Sequence, residues 1–457
     1  MNVVVAPHHG WRAWPPLGVD ADAIVVDDAG ATLLAGLPLG LAEQLVDRLN
    51  AGAAEDELED LALAAGGPAL LARWLDAFAL LTSVGRVAPC VSDGHDDVLV
   101  LRAARASTAA PQAVQLPEAM RLSRFAVCRA DQGALILESP RSAFVAVLGP
   151  SVSALLPLLA GGSLAATAIP DPAVRVALGL LVDIGLLLGA ADDVEDGGSL
   201  ALWESHDLAF HARTRRGGHR HLNGATFPHR PERPPLPTMA TWNRGTVVPL
   251  APMEDGDDGP SLWRVLRERT SVRAPSAPIG LDVLGRFLWW HRIVRDVPMD
   301  EARGVEYPQS RRTYPGGGAT YEIDLFLTVR DVDGLDDGLW FYDAADHALI
   351  LVSADPDARA QLFADAEVST GGVGTPQVLI TYGLRIGRNS WKYEGMAYRL
   401  ALMDAGVLYH HAYLVGGALG IGICGLGNGD TALFERIVAR PEGDYASIAE
   451  VMIVGMA

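Results

Sequence analysis

Lysine is almost missing from this chain of 457 residues: of 36 basic residues, only Lys392 is not an arginine. A composition so biased uses arginine wherever a plain positive charge serves. Arginine stays protonated and spreads its charge over a planar fork, whereas lysine carries a compact charge that burial tunes and that can surrender a proton. A lone lysine is therefore a candidate for work that arginine cannot do, set against the plainer reading of a leftover surface residue. Other absences narrow the function. The three cysteines, Cys90, Cys128 and Cys424, have no CxxC spacing, which argues against a disulfide framework and for a reducing compartment. Positive charge is in deficit, and a net charge of −20 repels nucleic-acid phosphates. The most apolar stretch, residues 176–191, is broken by Asp183 and is too short to span a bilayer. The opening MNVVVAPHHGWRAW lacks the charged-then-apolar pattern of a secretory signal. These features read as a cytoplasmic protein.

What is present fits a globular chain with large cores: 49% hydrophobic and 20% charged residues, at a length that suggests about three domains. The N-terminal half contains two similar segments. Asp28-Ala-Gly-Ala-Thr-Leu-Leu precedes helical patterns at 40–50, 55–65 and 68–81. Asp131-Gln-Gly-Ala-Leu-Ile-Leu precedes patterns at 151–159, 163–168 and 171–188. A β-prone run followed by three short helices suggests a winged-helix-like module, duplicated here as 1–95 and 96–200. A Pro-, Arg- and His-rich stretch over 201–260 reads as a linker. It contains His206, His211, His219, His221 and His229 among arginines that would repel a cation; His219 and His221 lie in a Gly/Arg-rich stretch where no carboxylate or cysteine completes a metal set, so no metal is expected. The stretch suits a loop on an acidic surface or a basic strip for an acidic peptide.

From 261 onward the texture is mixed. Helices are expected at 262–269, 281–294 and 396–419, and strands at 321–329, 339–342, 348–352 and 378–382. The glycine-rich 420–429 is expected to end the long helix. Three features suit a flat, anionic cofactor. Arg269-Thr-Ser271-Val-Arg273 can bring two guanidinium groups and a hydroxyl to one phosphate. Tyr314-Pro315-Gly316-Gly317-Gly318 lets backbone pass close to a ligand. The segment containing Gly425, Leu426 and Gly427 could wall a planar ring. Taken singly, each also reads as an ordinary turn or a chance match. Trp391-Lys392-Tyr393 pairs the lone lysine with a phenol, a second group suited to acid–base work.

Together these motifs resemble the flavin-dependent nitroreductase superfamily in its SagB-type branch, the FMN-dependent azoline dehydrogenases of thiazole/oxazole-modified peptide biosynthesis. Arg269–Arg273 is similar to the superfamily's opening phosphate motif. Arg312-Thr-Tyr-Pro-Gly-Gly-Gly-Ala319 resembles the branch's R-x-Y-P-S-G-G-A, with Gly316 in the serine's place. Gly338-Leu-Trp-Phe-Tyr-Asp343 resembles its "GLYHYD" hairpin. Lys392-Tyr393, Tyr398-Arg399 and Ala405-Gly406 resemble its K-Y…Y-R…A-G run, and His206-Asp-Leu-Ala-Phe-His-Ala-Arg213 resembles its "HDLLFHARSR". The likeness runs from about Ser205 to the C-terminus. Val407 and His410-His411 depart from the A-G-H and Q-N common there, and bear on the substrate pocket only if they face it.

The resemblance implies an α+β fold: a nitroreductase-like domain at 261–457, with a central antiparallel sheet flanked by helices, behind the two winged-helix-like modules. It implies a homodimer with FMN at the interface, held by Arg269, Ser271, Arg273, Tyr314, Pro315, Gly316, Gly317, Gly425, Leu426 and Gly427. It also implies oxidation of a thiazoline or oxazoline in a precursor peptide, with Lys392 and Tyr393 associated with proton removal. The leader would dock on the N-terminal modules, and a cyclodehydratase is a possible partner. A phenol is a poor base at neutral pH unless an ammonium lies near it, and side chains at i and i+1 of a helix do not face each other. Residues 391–393 are therefore expected outside a helix, with Asn389-Ser390 capping the helix that follows. Alternatives are an NAD(P)H-dependent flavin reductase of nitro or quinone compounds, a flavin-free leader-binding scaffold and, last, a DNA regulator.

Overall fold

In a computed structural model of the chain, the described residues are 8–13, 17–20, 23–25, 32–35, 37–83, 86–93, 96–104, 111–131, 133–162, 164–219, 221–242, 245–253, 259–300, 302 and 304–457. They fall into two units, Met1–His221 and Leu222–Ala457. Asp28, the start of the first expected repeat, lies outside the described residues.

In the first unit, helices Leu39–Ala51 and Glu55–Ser83 occupy the expected positions, the second interrupted at Gly66 and Gly67. The second expected trio departs from the reading. Ser163 lies outside the described residues, and residues 164–168 form a two-residue strand, Leu164–Ala165, and a 3-10 turn. The last helix, Pro172–Asp183, begins where Asp171 accepts the backbone N–H of Ala173 at 2.8 Å, and it stops short of 188. Gly185, at φ +72°, turns the chain into the strand Leu187–Gly189, a conformation that side chains with a Cβ resist. A boundary at 95/96 is not seen. Val87–Ser92 and Asp97–Ala103 are hairpin partners in one antiparallel sheet ordered His8–Ala13, Val87–Ser92, Asp97–Ala103, Phe144–Leu148, Ala134–Glu138, Val127–Asp131. Backbone pairing from both expected modules thus closes one sheet.

The 201–260 stretch is likewise more than a linker. Ser205–Arg213 is a helix of the first unit. Gly224–Ala225 pairs with Tyr393–Glu394, and Val247–Pro249 forms an edge of the second unit's main sheet.

That main sheet has seven strands, all antiparallel, in the order Val247–Pro249, Ala348–Ser353, Gly338–Asp343, Ile323–Val329, Val378–Leu384, Ala446–Val454, Gly422–Leu426. Ile323–Val329 and Val378–Leu384 are buried at every position, because helices cover both faces. On one face Leu325, Leu327, Ile380 and Ile453 meet Phe287 and Leu288 of helix Leu281–Trp289 and Leu408 and Ala412 of helix Ala397–Leu419. On the other, alternate residues of the same strands meet two further helices. Leu379 and Met452 pack on Leu362 and Phe363 of Pro356–Ser369, and Phe326 packs on Phe434 of Thr431–Val438. This is the expected α+β architecture, an antiparallel sheet between helices. The glycine-rich segment ends the long helix at Gly420, as expected, and residues Gly422–Leu426 then form an edge strand. Gly422 belongs there because a Cβ would sit 2.6 Å from Val454 and 2.8 Å from Val272. No described helix is long and apolar enough to cross a membrane.

Candidate active site

Lys392 lies in the short passage between helix Ile386–Ser390 and the long helix Ala397–Leu419. The passage is not helical, so neighbouring side chains can share a side. The lysine Nζ stands 4.9 Å from the centre of the Tyr393 ring. The cause differs from expectation, however: Asn389 and Ser390 end a helix and do not cap the next one. The buried Asn389 amide donates to Glu322 Oε1 at 3.0 Å and to the Ala397 carbonyl at 2.9 Å.

The glycine triplet comes to the same place. Gly318 takes φ +62°, and a Cβ on it would fall 2.1 Å from the Tyr393 hydroxyl and 2.6 Å from Lys392 Nζ. Lys392 Nζ donates to the Tyr307 hydroxyl at 2.6 Å, and Tyr307 donates to the Gly318 carbonyl. From the other side of the turn, the Gly317 N–H donates to Asp404 on the long helix at 2.7 Å. Asp404 is hydrogen-bonded to the fully buried Glu322, whose other partners include Thr320 Oγ1 at 2.7 Å. Burial, then the charge of Asp404, raises the Glu322 carboxyl to about 7, and burial raises Asp404 too. Two carboxyls so placed share a proton.

The anion-binding candidates gather around Tyr413 of the long helix. Ser271 Oγ is 2.8 Å from the Tyr413 hydroxyl, which accepts the Gly425 N–H at 3.0 Å, and the Arg269 guanidinium lies 5.2 Å above its ring. Arg264, Arg269, Thr270, Tyr413 and Gly420 help line a cleft of about 620 Å³. A phosphate fits this donor set: among the described residues no carboxylate pairs with Arg269, and Arg264 holds Glu268 at 3.0 Å. Arg273 is exposed and lies outside that lining. The other candidates are distributed unevenly. The Tyr314 ring is buried beside Arg312, Tyr321 and His411, leaving Pro315 at the surface. Gly316 stands against the Tyr321 ring. The Leu426 side chain belongs to the core, and Gly427 is exposed. The departures from the family pattern are now placed: Val407 packs against the core, and His411 Nε2 bonds the Trp290 carbonyl at 2.7 Å. His410 is exposed. Among the described residues, no histidine, cysteine or carboxylate group could hold a metal.

Tyr307, Asp404, Glu322 and Tyr413 were not foreseen. A compositional signal was available for the tyrosines, because all ten lie at or after residue 307. Nothing in local spacing marks the carboxyl pair.

A second buried carboxyl makes a prediction. Glu450 is 4% exposed; Thr381 reaches its Oε1, while Oε2 has no partner. Burial, then Asp365, raises it to about 7 from 4.5. The stability linked to its raised pKa is complete below the unfolded value and is lost as pH rises through 7. The loss is on the order of 3 kcal/mol. Glu450→Gln should therefore match the parent in thermal melts at pH 4 and exceed it by about 10 °C at pH 8.5. An equal difference at both pH values would refute the assignment.

With the geometry in place, the comparisons identify the class. Residues 266–455 match the nitroreductase family, and residues 120–220 match the cyanobactin oxidase ThcOx family. The C-terminal unit carries a nitroreductase-family domain, and the protein is an oxidoreductase of that superfamily. The two matches in this order place it in the SagB-type, azoline-oxidising branch. The microcin B17-processing protein McbC of Escherichia coli is 25% identical over 200 residues, 41% of this chain and 72% of McbC. MJ1384 of Methanocaldococcus jannaschii, a nitroreductase by name, is 26% identical over 167 residues, 36% of this chain and 78% of that protein. Among solved structures, the Escherichia coli microcin synthetase McbBCD complex with truncated pro-MccB17 bound aligns loosely. Its TM-score is 0.33 at 20% identity, over 55% of this chain and 91% of that one.

Proposed function

We propose that this protein is an FMN-dependent dehydrogenase that oxidises thiazoline or oxazoline rings of a ribosomally made peptide to thiazole or oxazole. The observation that carries this reading is the convergence of the only lysine, Tyr393 and the glycine turn at one point of a nitroreductase-family domain. Aromatising an azoline removes a proton from one ring carbon and a hydride from the other. FMN, when bound, supplies the two-electron acceptor. Arg269 and Ser271 would hold its phosphate. Lys392 and Tyr393 offer an amine and a phenol side by side for the proton.

The N-terminal unit, read as winged-helix-like modules, would receive the leader of the peptide. Its sheet ends on the strand Val127–Asp131, which suits pairing with an extended segment. McbC's name as a microcin-processing protein supports a peptide substrate, and a cyclodehydratase would supply the azolines. A second copy of the chain would pack on the long helix, where Leu402, Met403, Gly406 and His410 make an exposed stripe, with FMN at that interface.

The test is an absorbance spectrum of purified protein followed by mass spectrometry of an azoline peptide. A bound flavin spectrum and loss of two hydrogens per ring are expected; colourless protein that takes up no FMN would point to the scaffold reading. The name of MJ1384 favours a second reading, NAD(P)H-dependent reduction of nitro or quinone compounds. It requires rapid NAD(P)H oxidation without peptide.

A further inference from the structure

Lys392 and Tyr393 are adjacent in sequence, but what fixes the amine comes from elsewhere in the chain. Its nearest partner, Tyr307, is 85 residues away and belongs to none of the motifs. We infer that Tyr307 and the Glu322–Asp404 pair are positioning residues that seat the Lys392 amine by pinning the glycine turn from two sides. This assignment deepens the proposed reaction and rests on that reading for its kinetic arm alone.

Donors and acceptors can be counted through the seat. The Tyr307 hydroxyl has one hydrogen, which it gives to the Gly318 carbonyl. Its oxygen is then left to accept, and Lys392 supplies the donor. Burial pushes the Tyr307 phenol up from its ordinary value, so it stays protonated and keeps this polarity. The bond therefore has one direction, and it fixes one N–H of the amine while the others remain for Tyr393 and substrate. Tyr307 is itself held: it is 6% exposed, and its ring lies 6.4 Å from Phe227 and 6.2 Å from Trp391, centre to centre.

The turn that presents the Gly318 carbonyl is anchored by its preceding residue. Gly317 N–H donates to Asp404, and Asp404 is bonded to Glu322. Glu322 is enclosed by Thr320 and Asn389, with the Arg388 guanidinium bonded to the Thr320 carbonyl. Asn389 lies three residues before Lys392, so the same buried cluster ties the turn to the passage that carries the lysine. A fully buried carboxyl in an apolar core is expensive unless paired. Here the pair costs little while a proton is shared, and it locks two chain segments that both bear on one amine.

The test exploits the absence of any other lysine. Full-length protein is treated with limiting acetic anhydride beside a free-lysine standard, and acetylation of the Lys392 peptide is read by mass spectrometry. This readout needs neither flavin nor peptide substrate. In Tyr307→Phe, which keeps the ring, acetylation should be faster by about 10-fold, the loss of one charge-assisted hydrogen bond. Asp404→Ala removes the anchor of Gly317 and should show the same direction, which keeps the idea testable if either variant folds poorly. In azoline turnover, both should lower kcat by about 10- to 100-fold with KM within 2-fold, as misplacement of an acid–base group does. Unchanged acetylation in both folded variants overturns the seat. Faster acetylation with wild-type kcat upholds the seat and removes Lys392 from the chemistry, so the two failures are distinct.

Discussion

Lys392→Arg should lower azoline oxidation by about 10²- to 10⁴-fold, the range of a lost general acid–base group, while flavin binding and folding are kept. The charge is preserved in this variant, so charge alone cannot explain the loss. What changes is shape and proton affinity. The ammonium occupies a gap set by the rings of Tyr307 and Tyr393, 4.6 and 4.9 Å from Nζ, and by the Gly318 backbone. A guanidinium is wider, planar and does not release its proton. The cleft around Arg269 and Tyr413, proposed above to hold the phosphate, is built from other elements and should be untouched. The check is single-turnover oxidation of an azoline peptide by protein of matched flavin content. Wild-type turnover in Lys392→Arg would remove the amine from acid–base chemistry. An equal loss of flavin and turnover would make it a binding residue instead.

Why Lys392 was legible in the sequence, and Tyr307 was not, has a physical reason. Lys392, Tyr393 and the triplet Gly316–Gly318 are compact motifs, and their residue types are demanded by chemistry or by backbone conformation. The main strands and the long helix were also readable, because Ile323–Val329 and Val378–Leu384 are apolar runs and Ala397–Leu419 keeps a helical period. Tyr307 and Asp404 act through tertiary contact. Neither has a local pattern, and each meaning depends on a turn 10 to 90 residues away. The strand within the glycine-rich segment is hidden for a related reason. Gly422 and Gly425 look like loop glycines, yet they sit in a strand because Val454, Val272 and the Tyr409 ring press against them. The expected module boundary at 95/96 failed because a turn between two strands and a turn between two domains have the same composition. Only the pairing of Cys90 with Val100 tells them apart.

Gly318→Ala should have a large effect for a single methyl group. Gly318 is left-handed at φ +62°, which costs a residue with a Cβ about 1–2 kcal/mol and should lower Tm by about 5 °C. That strain would be felt anywhere. The larger consequence is local, since the methyl would be driven onto the Tyr393 hydroxyl and Lys392 Nζ and both must move away. A displacement of about 1 Å in the reacting groups costs about 100-fold in turnover. Gly371→Ala provides the comparison. Gly371 is also left-handed, at φ +69°, but its Cβ would meet nothing within 4 Å. It should lose similar stability and keep wild-type turnover. Thermal melts of both variants, beside turnover on the same azoline peptide, separate strain from displacement. If the two lose activity equally, strain in the backbone is the cause and the glycine turn does not shape the lysine's seat. If only Gly318→Ala loses it, the absence of one side chain at this position is what leaves room for the amine and the phenol to meet.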